Sequence, residues 1–288
     1  MGVDRKAMLK VDAHHHLWDP RRRQYPWLRA RGDDLLLTPF TAAQFEALAD
    51  RHRIGASVLV QTLTDAGETV EFLSTAATSP VVAAVVGWVD LTSGRVAEDL
   101  DVLQSGPGGS FLRGIRHPLP READLNWLGR DDVRSGLREL ARRGLAFDVL
   151  ADERHLPAAT AVAQAHPDLP LVINHAAKPP LRGGDLTRWR EAIIDLAVTD
   201  NVTCKVSGLV TEADHARWTI NDLRPAVELV LEVFGPGRVM LGSDWPVCLV
   251  AGSYDRVLDA YRGLLDGLSV AERDSVEGGV AERVYNLA

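Results

Sequence analysis

The chain has 288 residues, 46% of them hydrophobic, and a formal net charge of −8. That length suits one large domain or two small ones, with enough apolar side chains for a substantial core. The acidic balance argues against nucleic acid or an anionic membrane surface as a partner, although local Arg and Lys can still hold a charged small molecule.

In chain order, the pattern predicts a strand over Leu9–Ala13 leading into His14, His15 and His16. Asp19 to Thr38 crowds Arg21, Arg22, Arg23, Tyr25, Pro26 and Trp27 together. It reads as a long irregular loop, a kind of segment that is often functional. Helical spacing follows over Thr41–His52, with Thr41 as its cap. Further short apolar strands are predicted at Gly55–Gln61, Val81–Asp90, Leu112–Arg116, Leu145–Leu150, Leu171–His175, Val202–Ser207 and Val239–Asp244. Helices are predicted between them at Glu68–Ala77, Val96–Gln104, Asp131–Arg143, Leu156–Ala165, Leu186–Val198 and Asn221–Phe234, and at the end over Tyr254–Gly263 and Ser269–Tyr285.

Eight strands alternating with helices, with no linker in mid-chain, predict an α/β structure with a parallel sheet. Runs such as V-V-A-A-V-V are apolar on both faces, as parallel strands covered by helices should be. Eight such units in this length fit a single-domain (β/α)8 TIM-type barrel over residues 1–288. A dinucleotide-binding sheet would need a G-x-G-x-x-G turn after the first strand, and none is there.

The opening M-G-V-D-R-K-A-M-L-K lacks the apolar core of a signal peptide, and no run is long enough to span a bilayer. Cys204 and Cys248 are the only cysteines, one inside a predicted strand and one just beyond another. A disulfide framework is therefore not expected, and the protein reads as cytoplasmic, with no membrane partner. A homo-oligomer is compatible with this reading.

The polar residues at strand ends carry the chemistry. Strand residues alternate faces with period two. On that rule Asp12, His14 and His16 share a face, and His15 points away. His175 shares a face with Leu171 and Ile173. Lys205 opposes the apolar face of Val202, Cys204 and Val206 and so points inward. Asp244 shares a face with Met240 and Gly242. Strand four ends in Arg116 and His117; alternation alone does not choose between them, but Gly114 on the Arg116 face suits a crowded interior. The C-terminal mouth of the barrel, where such folds keep their catalytic residues, would then hold His14, His16, Arg116, His175, Lys205 and Asp244. Each has a plainer reading: structural hydrogen bonding for a histidine, snorkelling for Lys205, helix capping for Asp244. The coincidence of polar groups at the same end of different apolar strands favours a shared site.

The same residues carry a resemblance. D-A-H-H-H-L-W-D-P, N-H-A-A-K-P and L-G-S-D-W-P-V resemble motifs of the amidohydrolase superfamily, and within it the lactonase branch that includes the fuconolactonases and rhamnonolactonases. G-I-R-H, C-K-V-S-G-L, Q-Y-P-W-L and the terminal A-E-R-V-Y-N-L extend the match over nearly the whole chain. The resemblance implies a (β/α)8 hydrolase acting on a small-molecule lactone.

It also implies a choice about metal. Most members of the superfamily bind one or two divalent ions, and a two-ion site needs a Lys after strand four and a His after strand five. Here strand four ends in Arg116-His117 and strand five, L-A-F-D-V-L, has no His. One Zn²⁺ held by His14, His16 and Asp244 remains an open, workable site, and a metal-free route is also chemically reasonable for an activated ester. In that route Asp244 is the general base, and the three histidines hold the water and polarise the carbonyl. Arg116 or Lys205 stabilises the oxyanion or grips the substrate. Tyr25, Trp27 and Trp245 would frame the ring. On this reading Lys205→Met should impair kinetics with little loss of stability. Two other classes stand beside it: a metal-dependent decarboxylase or hydratase of the same superfamily, and a non-catalytic ligand-binding barrel.

Overall fold

The computed structural model describes residues 9–287; the opening segment read above as lacking a signal peptide lies outside the described residues. Eight strands form one parallel sheet in chain order: β1 Val11–His15, β2 Ala56–Val60, β3 Val82–Gly87, β4 Leu112–Pro118, β5 Ala146–Leu150, β6 Leu171–Ile173, β7 Val202–Val206 and β8 Val239–Leu241. The sheet closes on itself just past β8. The Asp244 N–H donates to His14 O at 2.8 Å, and the His16 N–H donates to Trp245 O at 2.7 Å. The eight-stranded parallel barrel is the one expected.

Helices fill the intervals: α1 Pro26–Arg31, α2 Ala42–Arg51, α3 Ala66–Ala76, α4 Val96–Ser105, α5 Asp131–Arg142, α6 Leu156–Ala165, α7 Thr187–Ala197, α8 Ile220–Phe234, α9 Tyr254–Gly263, α10 Val270–Asp274 and α11 Val280–Tyr285. Thr41 caps α2 through a capping box with Gln44, so the signal read from the sequence is the one the backbone uses. A short π segment, Ser275–Gly279, joins α10 to α11. Among the described residues no helix is long and apolar enough to cross a membrane. Cys204 and Cys248 are both buried and free.

Two apolar layers hold the barrel. Inside lie small side chains: Ala13, Ala56, Val58, Ala84, Val86, Ala146 and Val172. Outside, Leu59, Val85, Ile115, Phe147, Ile173 and Val206 meet the helices. The division follows from space, because an eight-stranded barrel has room for a packed interior but not for a pore.

The stretch from Asp19 to Thr38 is less irregular than its composition implies. Pro26 opens α1, where its fixed φ suits a first helical turn and its missing N–H costs nothing. Tyr25, Leu28 and Leu36 are buried beneath it. Of the two aromatics of this loop, Tyr25 is core and Trp27 is half-buried.

Candidate active site

Alternation breaks at two of the strand ends that matter. In β1 the register shifts between Asp12 and His15. Asp12 therefore points outward, not with His14. Its carboxylate accepts the Ser243 N–H at 2.9 Å and the Tyr254 hydroxyl at 3.1 Å, pinning β1 to the segment that carries Asp244 and to α9. His15 also points outward, stacked on Phe45 with ring centroids 3.7 Å apart. His14 and His16 remain on the inner side. In β6 the strand stops at Ile173, whose side chain faces the helices with that of Leu171. His175, Ala176, Ala177 and Lys178 then all take positive φ, between 45° and 55°. This left-handed turn, and not alternation, swings His175 into the mouth.

The result is a buried cluster. Asp244 Oδ1 lies 3.3 Å from His16 Nε2, 3.8 Å from His14 Nε2 and 3.9 Å from His175 Nε2. His14 and His16 face each other Nε2 to Nε2 at 3.3 Å. His16 Nδ1–H donates to Val60 O at 2.7 Å, which leaves a lone pair on Nε2. His175 Nδ1 meets Ser207 Oγ at 2.9 Å. Gly242 is where β8 passes closest to β1: a Cβ there would sit 2.6 Å from the His14 Cβ.

Burial pushes His175 down to about 3 and lowers His14 and His16 as well, so the three imidazoles are uncharged at neutral pH. Burial also opposes charge on Asp244, but His175 and His16 facing it, with Lys178 beyond, hold its carboxyl at about 2. The site thus presents a carboxylate among neutral imidazoles.

Arg116 is the inward member of its pair. Its Nη1 donates to Asn174 Oδ1 and reaches His14 Nε2, each at 3.3 Å, and its Nη2 donates to the Gln61 carbonyl. Burial lowers it to about 10, against the pull of Asp148 and Asp244, so it stays protonated. His117 turns away to stack on Trp127 at 3.9 Å and to pair with Glu122 at 2.8 Å. A cavity of about 120 Å³ opens over the cluster, lined among others by His16, Trp27, Thr62, Arg116, His175 and Asp244.

The donor set fits one divalent ion. Among the described residues, the buried Asp244 Oδ1 has no hydrogen-bond partner. The ligand atoms of His14, His16 and Asp244 lie within 4.8 Å of one another. An orphaned carboxylate oxygen facing imidazole lone pairs is what such an ion takes up.

A family model described as Amidohydrolase matches residues 11–287. The chain belongs to that family. As an amidohydrolase it has close curated relatives. It is 40% identical to an L-fucono-1,5-lactonase of Burkholderia multivorans over 97% of this chain and 96% of the relative. It is 38% identical to an L-fucono-1,5-lactonase of Burkholderia ambifaria over 85% and 83%. A crystal structure of an amidohydrolase from Burkholderia multivorans with bound Zn superposes with a TM-score of 0.92 at 38% identity, over 97% of this chain and all of that one.

Not every residue expected at the mouth of this amidohydrolase lies there. Lys205 points inward but sits below the mouth, fully buried, with its Nζ 2.8 Å from Asp148 Oδ2. Nor do two of the three aromatics border the cavity. Tyr25 is buried beside Trp18, and Trp245 packs against Phe40 and Phe45. Both rings are large apolar bodies next to a closing barrel, where filling the core outweighs framing a ligand. Trp27 alone lines the cavity.

Other residues went unread. Asp148, Asn174, Gln61 and Lys178 all take part; Lys178 lines the cavity and pairs with Glu212 at 2.5 Å. Asp148 had a signal, a carboxylate in mid-strand in an apolar run, which needs a buried partner.

Gly208 is the clearest omission. Its φ is +62°, and a Cβ there would lie 2.7 Å from His175 Nδ1 and 2.8 Å from Asp244 Oδ2. Gly208→Ala should lose about 1–2 kcal/mol to the left-handed backbone and at least about tenfold in turnover by displacing the two side chains. Thermal unfolding and steady-state kinetics check both. Parental turnover in that variant would mean that the cluster has slack it is not expected to have.

Proposed function

We propose that the chain hydrolyses the lactone ring of a sugar acid, with Asp244 as the general base. The observation that carries this reading is the buried, otherwise unpartnered Asp244 Oδ1 facing three imidazoles at the floor of a small cavity. The two L-fucono-1,5-lactonase relatives supply the substrate class. They favour this reading over a decarboxylase, a hydratase or a barrel that only binds.

A water resting among His14, His16, His175 and Asp244 gives its proton to Asp244 as its oxygen adds to the ring carbonyl. The negative charge that develops on the carbonyl oxygen is met by Arg116, whose position is set by Gln61 and Asn174. When the tetrahedral adduct collapses, the bond from the carbonyl carbon to the ring oxygen breaks. The departing oxygen takes up the proton held on Asp244, leaving an open-chain hydroxy acid. Trp27 offers an apolar face to the ring. Lys205 has no step here, since Asp148 already holds it.

His14, His16 and Asp244 would hold a single divalent ion, with Zn²⁺ the first candidate given the Zn-bound relative. Bound there, it would supply Lewis acidity toward water and the carbonyl. Strands β4 and β5 offer Arg116 and Asp148 where a second ion would need Lys and His. We infer at most one ion, loosely held by three protein ligands, and activity that largely survives a chelator. Elemental analysis paired with assays before and after chelation checks this. Two tightly held ions, or activity abolished by chelation and restored by Zn²⁺, would reverse the reading.

The functional proposal is tested with a panel of aldonolactones, L-fucono-1,5-lactone among them, followed with a pH indicator. Acid release from at least one, well above the spontaneous rate, is expected. No acceleration on any member would refute it.

A further inference from the structure

The stretch A-E-R-V-Y-N-L has no part in the chemistry above, yet its Tyr285 reaches into the inner core of the barrel. Val280, Ala281 and Tyr285 of α11 join the inner core with Val11, Ala56 and Met240, at the strand starts opposite the mouth. Tyr285 is only 1% exposed. Its hydroxyl donates to Asp148 Oδ1 at 2.7 Å. The other oxygen of that carboxylate accepts from Lys205 Nζ and from Asn174 Nδ2, both at 2.8 Å. Asn174 in turn receives Arg116 at 3.3 Å, and Lys205 Nζ stands 3.4 Å from His14 Nδ1. Lys205 also lies over the Tyr285 ring, 5.0 Å from its centroid.

A continuous path of polar contacts thus runs from the last helix to two residues at the mouth. Its members are shut off from water, so none can trade a lost partner for solvent. With donors on both oxygens, the Asp148 carboxylate has one favoured orientation. Without the phenol, Oδ1 is left without a donor, and any rotation to find one moves the groups on Oδ2.

We propose that Tyr285 is a positioning residue for the active site: through Asp148 it holds Lys205 and Asn174, and through them His14 and Arg116. The kinetic arm of the test rests on the lactonase reading; the structural arm does not.

Tyr285→Phe keeps the ring and its packing and removes only the hydroxyl. Turnover should fall by about tenfold or more with KM within about twofold, because the groups displaced act on the transition state. Val280→Ala, in the same helix and inner core but away from Asp148, should lower Tm and leave kcat unchanged. Asn174→Ala cuts the path from the other side and should repeat the loss. The double variant should lose less than the product of the two single losses, since the Asn174–Arg116 arm is common to both. Parental kcat in folded Tyr285→Phe or in Asn174→Ala, or losses that multiply in the double variant, would overturn the proposal. If the parent chain itself turns over no lactone, the functional reading fails alone. The crystal structure of Tyr285→Phe then decides: a displaced Asn174 amide and Arg116 guanidinium support the path, and unmoved ones refute it.

Discussion

Asp244→Asn should give a folded barrel that opens lactones more slowly by about 10²–10⁴-fold, the usual worth of a positioned general base. The substitution keeps the shape of the side chain. It also keeps the backbone bond from residue 244 to His14 O, which closes the barrel. What it removes is the capacity to take a proton. Steady-state turnover, with circular dichroism to verify the fold, is the measurement. Near-parental hydrolysis by this variant would remove Asp244 from the mechanism.

The second large effect concerns stability. Lys205 is fully buried, and burial lowers its proton affinity against the pull of Asp148, 2.8 Å away. Lys205→Met leaves the Asp148 charge uncompensated in the barrel interior. Breaking one side of a buried pair costs about 3–5 kcal/mol. For a chain of this size Tm should drop on the order of 10 °C. This reverses the expectation drawn from the sequence, in which Lys205 met substrate and its loss was mainly kinetic. Adding Asp148→Asn should recover part of the loss, because a neutral amide tolerates burial better than a lone carboxylate. A Tm close to that of the parent, together with a raised KM, would restore Lys205 to the substrate.

The architecture was legible because parallel strands covered on both faces must be apolar runs, and the chain has eight of them. Period-two alternation placed Lys205 inward, where β7 is regular; it left Arg116 and His117 open, and the room at Gly114 favoured Arg116, which the regular β4 does turn inward. It failed for Asp12, where β1 slips register, and for His175, where the strand has ended and a left-handed turn begins. Neither device has a residue signature in D-A-H-H-H or N-H-A-A-K, because Asp, His, Ala and Lys there are not forced into those conformations by their own chemistry. Tyr25 and Trp245 show a different limit. An aromatic near a site is equally suited to core and to ligand, and only the packed neighbours decide between them. Asp148 was readable in principle: Arg116 and Asp148 are register partners across β4 and β5, so an inward Arg116 makes an inward carboxylate beside it.

The closure of the barrel has a consequence for the life of the molecule. At the join the Asp244 N–H donates to His14 O, and the two residues lie 230 positions apart in the chain. During translation His14 and His16 leave the ribosome long before Asp244 does. Until β8 is made, the imidazoles of His14 and His16 have neither Asp244 nor a closed barrel around them. The cluster therefore assembles only after the last strand of the sheet has folded against the first.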